Sequence, residues 1–332
     1  MKKAKVLVTG GAGFIGSHVA DEALALGMDV VVLDDLSGGF TENVNRKATF
    51  VKGSINDERL IKSLFARHKF TYVYHLAAYA AEGLSHFIKK FNYENNLIGS
   101  VNLINASVNN EVKCFIFTSS IAVYGKNQLP MREDMIPLPE DSYGIAKLSV
   151  EMELKASREL FGLDYVIFRP HNVYGERQNL GDKYRNVLGI FMNQIMQQKP
   201  LSIFGDGKQT RAFTYVGDVA PVIAKAPLVN KAYGGIFNIG ADKAYTVNQL
   251  TKEVGKSMGI TPIVKHFPAR KEVKHAYSDH HKIREVFGYT SRYSLSEGIH
   301  RMAEWAKKAG SKQSKKFENI EIKKNLPAAW LK

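Results

Sequence analysis

One cysteine, Cys114, stands in a chain of 332 residues. It excludes an intramolecular disulfide and a cysteine-built zinc site, so a reducing, cytoplasmic compartment is expected. No apolar run approaches the ~18 residues that cross a bilayer, and no membrane partner is expected. The basic opening MKKAKVLVTGG lacks an apolar core of roughly 7–15 residues and a cleavage site, so it does not read as a signal peptide. There is no Pro/Ser-rich linker, low-complexity tract or internal repeat. Hydrophobic residues at 45% and charged residues at 23% exclude disordered, collagenous and coiled-coil classes.

What the chain has in excess is positive charge, +14 in all. Residues 1–170 hold 19 Lys+Arg and 19 Asp+Glu, whereas residues 171–332 hold 27 and 13, so the second half carries the whole excess. The last 26 residues, from Lys307, contribute eight Lys against two Glu. A polyanion-binding surface is one reading of that tail and a set of solvated lysines is the other. Arg211 and Arg270 suit a small anionic substrate as well as they suit nucleic acid.

Apolar runs and helical periodicity alternate through the first half. Val6–Val8 and Val30–Leu33 are continuous apolar runs, which fit strands covered on both faces. Further strand-like runs lie at 71–76, 113–118 and 163–168, with helical segments near 57–67, 92–109 and 142–161. This alternation predicts an α/β fold with a doubly wound parallel sheet. After Arg169-Pro170 short strands and helices are separated by turns such as GDGKQTR (205–211). The expected division is a sheet domain over 1–170, a smaller α/β substrate-binding lobe over 171–306 with some chain crossing back, and a basic tail over 307–332, with a cleft between the lobes.

The first βα turn reads TGGAGFIG, with glycines at 10, 13 and 16. Such spacing gives a tight turn, close approach of backbone to a pyrophosphate, and close helix–strand packing, with helix N–H groups facing the anion. The second strand ends at Asp34, 18 residues after Gly16, where a carboxylate binds a ribose diol and repels a 2′-phosphate. The pattern is that of a Rossmann dinucleotide site favouring NAD over NADP.

Tyr143 and Lys147 lie four apart, on one face of a helix. A phenol with a pKa near ~10 is a poor base until a neighbouring cation stabilises its anion. Phe115–Ser120 is a strand whose carboxyl end, where ligands bind in such sheets, carries hydroxyls. Ser120 is therefore expected beside Tyr143, in position to hydrogen-bond a substrate oxygen.

TGGAGFIG, LDDLSGG, HLAA, ENNLIGSVNLI, FTSSIAVYG, YGIAK, RPHNVYGERQ and IFGDGKQTRAFTYVGDVA occur in one order along nearly the whole chain. In this the chain resembles the extended short-chain dehydrogenase/reductase family, specifically its NAD-dependent nucleotide-sugar epimerases and dehydratases, and most closely the UDP-glucose (UDP-galactose) 4-epimerases. The resemblance implies that Phe14 and Ile15 lie along the NAD pyrophosphate, that Asp34 holds the adenosine ribose, and that Asn95 supports the cofactor site. It implies Ser120, Tyr143 and Lys147 as the catalytic set. Asn172 and Asn186 would contact the sugar nucleotide, Leu201–Phe204 would wall the uracil, and Arg211 and Arg270 would clamp the diphosphate. Family members dimerise through helices matching 92–109 and 142–161, so a homodimer is expected.

Three departures stand out. Ser54 follows Gly53 where the family usually has an adenine-contacting Asp. Ala80-Ala81 replace a segment that carries a Lys in well-known 4-epimerases. The basic tail is also long.

Family dehydratases place Thr-Asp-Glu before V-Y-G, and decarboxylases place a Glu there, because those reactions need further proton transfer. Here Ile121 and Ala122 occupy these positions, which leaves epimerisation at C4 of a UDP-hexose through a 4-keto intermediate. UDP-N-acetylhexosamines and UDP-uronates are the alternative substrates. Ala276, just before Tyr277-Ser278-Asp279, would leave room beside sugar C2, whereas Tyr277 in that place would close it, and Asn179 replaces an arginine expected of uronate epimerases. A nucleic-acid-binding or regulatory protein on the same scaffold would be supported by loss of Tyr143 or Lys147, and both are present. His275, His280 and His281 read as surface or inter-lobe packing groups and no metal is expected. His75 reads as structural, and Trp305 and Trp330 as packing anchors.

Overall fold

Odd and even positions of the first strands bury themselves on opposite faces of one sheet. Val6, Val8, Val30 and Val32 join one apolar cluster, while Leu7, Val31 and Leu33 join the other. That two-sided burial is why these runs are continuous rather than alternating. The computed structural model describes residues 3–126, 128–182, 184–185, 187–269, 275–313 and 317–327.

The first half runs β1 (Lys5–Thr9), α1 (Phe14–Ala25), β2 (Asp29–Asp34), β3 (Thr49–Lys52), α2 (Glu58–His68), β4 (Tyr72–His75), α3 (Glu82–Ser85), α4 (Lys89–Tyr93), α5 (Gly99–Asn109), β5 (Cys114–Thr118), α6 (Ser142–Phe161) and β6 (Tyr165–Pro170). The second half continues with β7 (Val173–Tyr174), α7 (Val187–Met196), β8 (Leu201–Phe204), β9 (Thr210–Ala212), β10 (Thr214–Tyr215), α8 (Val216–Lys225) and β11 (Gly235–Ile239). It ends with β12 (Ala244–Thr246), α9 (Val247–Met258), β13 (Val264–Phe267), β14 (His275–Ala276), α10 (His281–Phe287) and α11 (Leu295–Ala309).

The central sheet has seven strands in the order β11-β6-β5-β4-β1-β2-β3, and every pairing is parallel. The chain crosses back to supply the edge strand β11, and α8 packs on α1. The second half also holds a β8–β13 pair and a three-stranded β12-β9-β14 sheet. The sheet order reverses between β1 and β4, and the cleft opens at the carboxyl ends of the strands there.

Two boundaries differ from the periodicity. The helix expected from 92 begins at Lys89 and includes a π-helical turn, Glu94–Ile98, before α5. Buried Asn92 and Asn96 account for the distortion: Asn92 donates to Ser142 O (2.8 Å), and Asn96 accepts from Tyr79 N (2.8 Å) while donating to Asn92 (2.7 Å). Such turns collect at functional sites. The strand expected from 163 starts at Tyr165, because Gly162 closes α6 in the left-handed conformation at φ 74°.

Candidate active site

Gly10 turns the chain at the end of β1 with φ +71°, and a Cβ there would lie 2.7 Å from the backbone nitrogen of Ala77. A Cβ on Gly16 would lie 2.1 Å from the Gly10 carbonyl oxygen. Neither position admits a side chain, so the loop stays flat and the first turn of α1 opens onto the cleft through Gly13, Phe14 and Ile15. At the end of β2 the Asp34 carboxylate accepts from Ala12 N (3.0 Å) and Leu36 N (2.8 Å). Burial raises its pKa above the usual carboxylate value, opposed by those two bonds. Gly53 and Asn95 line the same cleft, with Asn95 donating to Phe91 O (2.8 Å). Ser54 accepts from Asn56 N (3.1 Å).

A dinucleotide fits these residues on two counts: the glycine cradle that side chains would fill, and Thr118 Oγ1, which lines the cleft buried and without a partner among the described residues. The cleft measures about 1170 Å³. That exceeds the upper end of single small-ligand pockets, roughly 1,000 Å³, and leaves room for a second ligand.

Beyond β5, Ser120 caps a short turn, its hydroxyl accepting from Ala122 N (3.1 Å). Asp141 caps α6 by accepting from Gly144 N (2.8 Å), which starts the helix so that Tyr143 and Lys147 face the cleft floor. Ser120 donates toward the Tyr143 hydroxyl, which lowers its pKa, but burial and the nearby Glu82 carboxylate hold the phenol above its ordinary value. Lys147 is 2% exposed and donates to Thr118 O (2.9 Å), its Nζ 5.8 Å from the Tyr143 ring centre. Burial brings its pKa down to about 7, against the pull of Glu151. Glu151 is itself buried, gripped by Arg169 at 2.9 and 2.5 Å and accepting from Ser119. The cleft floor under Lys147 therefore rests on a buried ion pair.

The second half closes the cleft from the other side. Asn172 takes the left-handed conformation (φ 42°) and donates to Ala212 O (3.2 Å). Asn179 and Arg211 line the wall, Arg211 donating to Thr210 O (2.9 Å). Of Leu201–Phe204, Phe204 reaches this cleft, while Leu201 and Ile203 turn into the core on alternate positions of β8. Ala276 lines the cleft and Tyr277 does not. Asn186 and Arg270, expected at the substrate, and Trp330 lie outside the described residues. Trp305 packs half-buried against the core.

Several groups facing the site carry no motif. Phe267 stacks on Phe204 with ring centres 5.5 Å apart, and the register β8–β13 that pairs them is invisible locally. Arg185 pairs with Asp182 and lies over Tyr79, and its charge pulls the Tyr143 pKa down against burial. His171 and His280 meet at 3.0 Å between their Nε2 atoms, with His280 also bonded to Asp242 (2.8 Å). Gly240 leaves the space for His171, since a Cβ there would lie 1.9 Å from Nε2. His275 bonds Thr210 and His281 bonds Glu285. His75 is buried between Thr9 and Ser100, 2.8 Å from each hydroxyl. A buried aromatic or imidazole pair 60 to 110 residues apart leaves no local sequence signal; of the His171–His280 pair, His280 alone stood out in the sequence.

The model of the NAD dependent epimerase/dehydratase family matches residues 6–240. The chain belongs to that family. A putative UDP-glucose 4-epimerase from Methanocaldococcus jannaschii is 36% identical over 91% of this chain and 98% of its own length. The solved UDP-glucose 4-epimerase of Thermotoga maritima, bound to UDP-glucose, is 38% identical with a TM-score of 0.86, over 92% of this chain and 99% of that one. A UDP-N-acetylglucosamine 4-epimerase from Methanobrevibacter ruminantium, in complex with UDP-N-acetylmuramic acid, is 33% identical with a TM-score of 0.85, over 92% and 98%. The chain is thus similar to enzymes of more than one nucleotide sugar. Membership in the family makes it an NAD-dependent nucleotide-sugar enzyme with a Rossmann-like sheet. No helix among the described residues is long and apolar enough to cross a membrane.

Proposed function

We propose that this enzyme inverts C4 of a UDP-hexose, interconverting UDP-glucose and UDP-galactose through a 4-keto sugar. The observation that carries the reading is that Ser120, Tyr143 and Lys147 share the cleft floor with Ile121 and Ala122, side chains that move no proton. Elimination and decarboxylation need a further acid or base at those positions.

Bound NAD supplies a hydride acceptor that returns what it takes. The chain's own residues do the rest. Ser120 holds O4 by a hydrogen bond, and Tyr143 takes the O4 proton and later gives it back. Lys147 keeps the phenolate favourable and is held for that by Thr118 O and Glu151. Arg211 and Arg270 pin the diphosphate, and Phe204, backed by Phe267, walls the uracil, so the 4-keto sugar can turn over without leaving. The buried free thiol of Cys114 suits a cytoplasmic setting.

A homodimer belongs to the same reading. Ile98, Ile145 and Met152 stand 52%, 41% and 65% exposed along the region of α5 and α6. Apolar exposure on two adjacent helices suits a partner of the same kind. UDP-N-acetylhexosamine is the second substrate to consider, because Ala276 lines the cleft and leaves volume there.

The test is incubation with UDP-glucose, UDP-N-acetylglucosamine and UDP-glucuronate in turn, following the C4 proton by NMR. Interconversion of the gluco and galacto forms is expected. Loss of water or of CO2, or no inversion with any of the three, contradicts the reading.

A further inference from the structure

Among the described residues, the basic tail packs against the rest of the chain. After α11 it passes α7, where Lys312 N donates to Asn193 Oδ1 (2.9 Å) and Lys312 O accepts from Asn193 Nδ2 (2.9 Å) and Gln197 Nε2 (2.8 Å). It reappears on the opposite lobe. Phe317 N donates to the Tyr184 hydroxyl (3.1 Å), and the Phe317 ring packs against Tyr79 and Phe91 at 5.4 and 4.9 Å. Phe317, Ile320 and Leu326 join one apolar cluster with Ala81, Leu84 and Ile88.

Two further bonds lock the backbone. Glu321 N and Ile322 N both donate to Phe87 O (2.9 and 3.1 Å), and the Glu321 carboxylate accepts from Lys90 N and Phe91 N (2.9 Å each). Glu321 thereby takes up two amides at the start of α4 that the helix cannot satisfy itself. The segment then reaches the cleft, where Asn325, at φ 61°, and Pro327 line the wall. A carboxamide tolerates that left-handed conformation and offers both a donor and an acceptor.

The stretch the tail grips, residues 79–91, is also the one that carries Glu82, whose carboxylate acts on the Tyr143 hydroxyl. Tyr143 N also donates to Ser85 Oγ (3.2 Å), so the gripped stretch abuts the residue assigned to the sugar, and Asn325 and Pro327 line the same cavity as Tyr143.

We propose that residues 317–327 form a strap that is part of the sugar site and sets which hexose fits. Asn325 meets a sugar hydroxyl, Pro327 bounds the compartment, and Phe317 with Glu321 holds the strap in place. Phe317 and Glu321 are positioning residues, acting through Tyr79 and α4. The proposal rests on the nucleotide-sugar reading above.

The full-length protein tests it with Asn325→Ala, which trims an exposed side chain, and with Phe317→Ala/Glu321→Ala, which undocks the strap. Both variants are expected to bind NAD as wild type does and to bind UDP within twofold. KM for UDP-hexoses should rise fivefold or more, with a smaller change in kcat, and turnover of UDP-N-acetylhexosamine relative to UDP-hexose should increase. In the wild type, trypsin cleavage at Lys323 and Lys324 should be slowed by UDP-hexose and not by UDP. Unchanged KM in both variants, or equal protection by UDP and UDP-hexose, overturns the strap. Failure of every nucleotide sugar to bind the wild type overturns the functional reading instead, and the strap's role as a sugar wall with it.

Discussion

Residues 1–170 carry no net charge and build their part of the cleft from strand ends; residues 171–332 carry +14 and build theirs from scattered loops, short strands and a tail. In the first region each functional group follows its own element by a few residues. Gly10 follows β1, Asp34 ends β2, Ser120 follows β5, and Tyr143 and Lys147 open α6. In the second, the groups that meet are far apart in sequence: Phe204 with Phe267, His171 with His280, Tyr184 with Phe317. Under the proposed function, the first region handles chemistry shared across a family and the second handles recognition of a particular sugar. Mutations in the first should abolish turnover, while mutations in the second should redirect it.

The largest effect is expected for Tyr143→Phe. NAD content and folding should persist while kcat falls about 10²–10⁴-fold, the usual worth of a positioned general base. Retention of more than about a tenth of the rate, a loss under ~1.4 kcal/mol, would break the assignment.

Next comes the cofactor. Asp34 should make NAD preferred over NADP, and Asp34→Ala should shrink that preference by about tenfold or more, ~1.4 kcal/mol. Tighter binding of NADP than NAD by the wild type, measured by titration, would remove the role of Asp34.

The second region sharpens the contrast. Ala276→Tyr should suppress turnover of UDP-N-acetylglucosamine and leave UDP-glucose within a few-fold. Asn179 offers no charge to a carboxylate, so UDP-glucose should be turned over faster than UDP-glucuronate at matched concentration. The reverse order in a rate comparison would make Arg185, not Asn179, the residue that matters.

How much of this was legible follows from the same contrast. The glycine loop reads locally because a Cβ at 10 or 16 collides with backbone, and Tyr143 with Lys147 reads locally because a helix brings i and i+4 together. The five inner strands of the sheet were legible because they are apolar on both faces, whereas the edge strands β3, exposed at Thr49 and Lys52, and β11, supplied from the second half, were not. The substrate wall was less so. Leu201–Phe204 could be located, but which of the four faces the ligand depends on the register with β13. Glu82 and Arg185 sit in stretches without periodicity, and only their proximity to Tyr143 gives them meaning. The tail read as solvated charge because lysines dominate its composition; its anchors, Phe317, Ile320, Glu321 and Leu326, are spaced for a partner surface on α3 and α4 that no local pattern reveals.

A further expectation concerns pH. Burial holds the His171 pKa down at about 3 and that of His75 well below the ordinary value. As pH falls below about 6.5, the unfolded chain takes up these protons and the folded chain does not. Stability should therefore fall, by up to about 1.4 kcal/mol per pH unit for each such histidine. Urea unfolding at pH 7.5 and 5.5 measures this, and His171→Asn should flatten the dependence. A stability unchanged over that interval would contradict the buried neutral state.

The central claim is that C4 loses and regains the same hydrogen inside one closed cleft, with Tyr143 handling only the O4 proton. UDP-glucose carrying deuterium at C4, turned over to equilibrium in ordinary water, tests it directly. Retention of the deuterium at C4 of the UDP-galactose formed is expected. Its replacement by solvent hydrogen would show that C4 is deprotonated instead, and would contradict the assignment of Ser120, Tyr143 and Lys147.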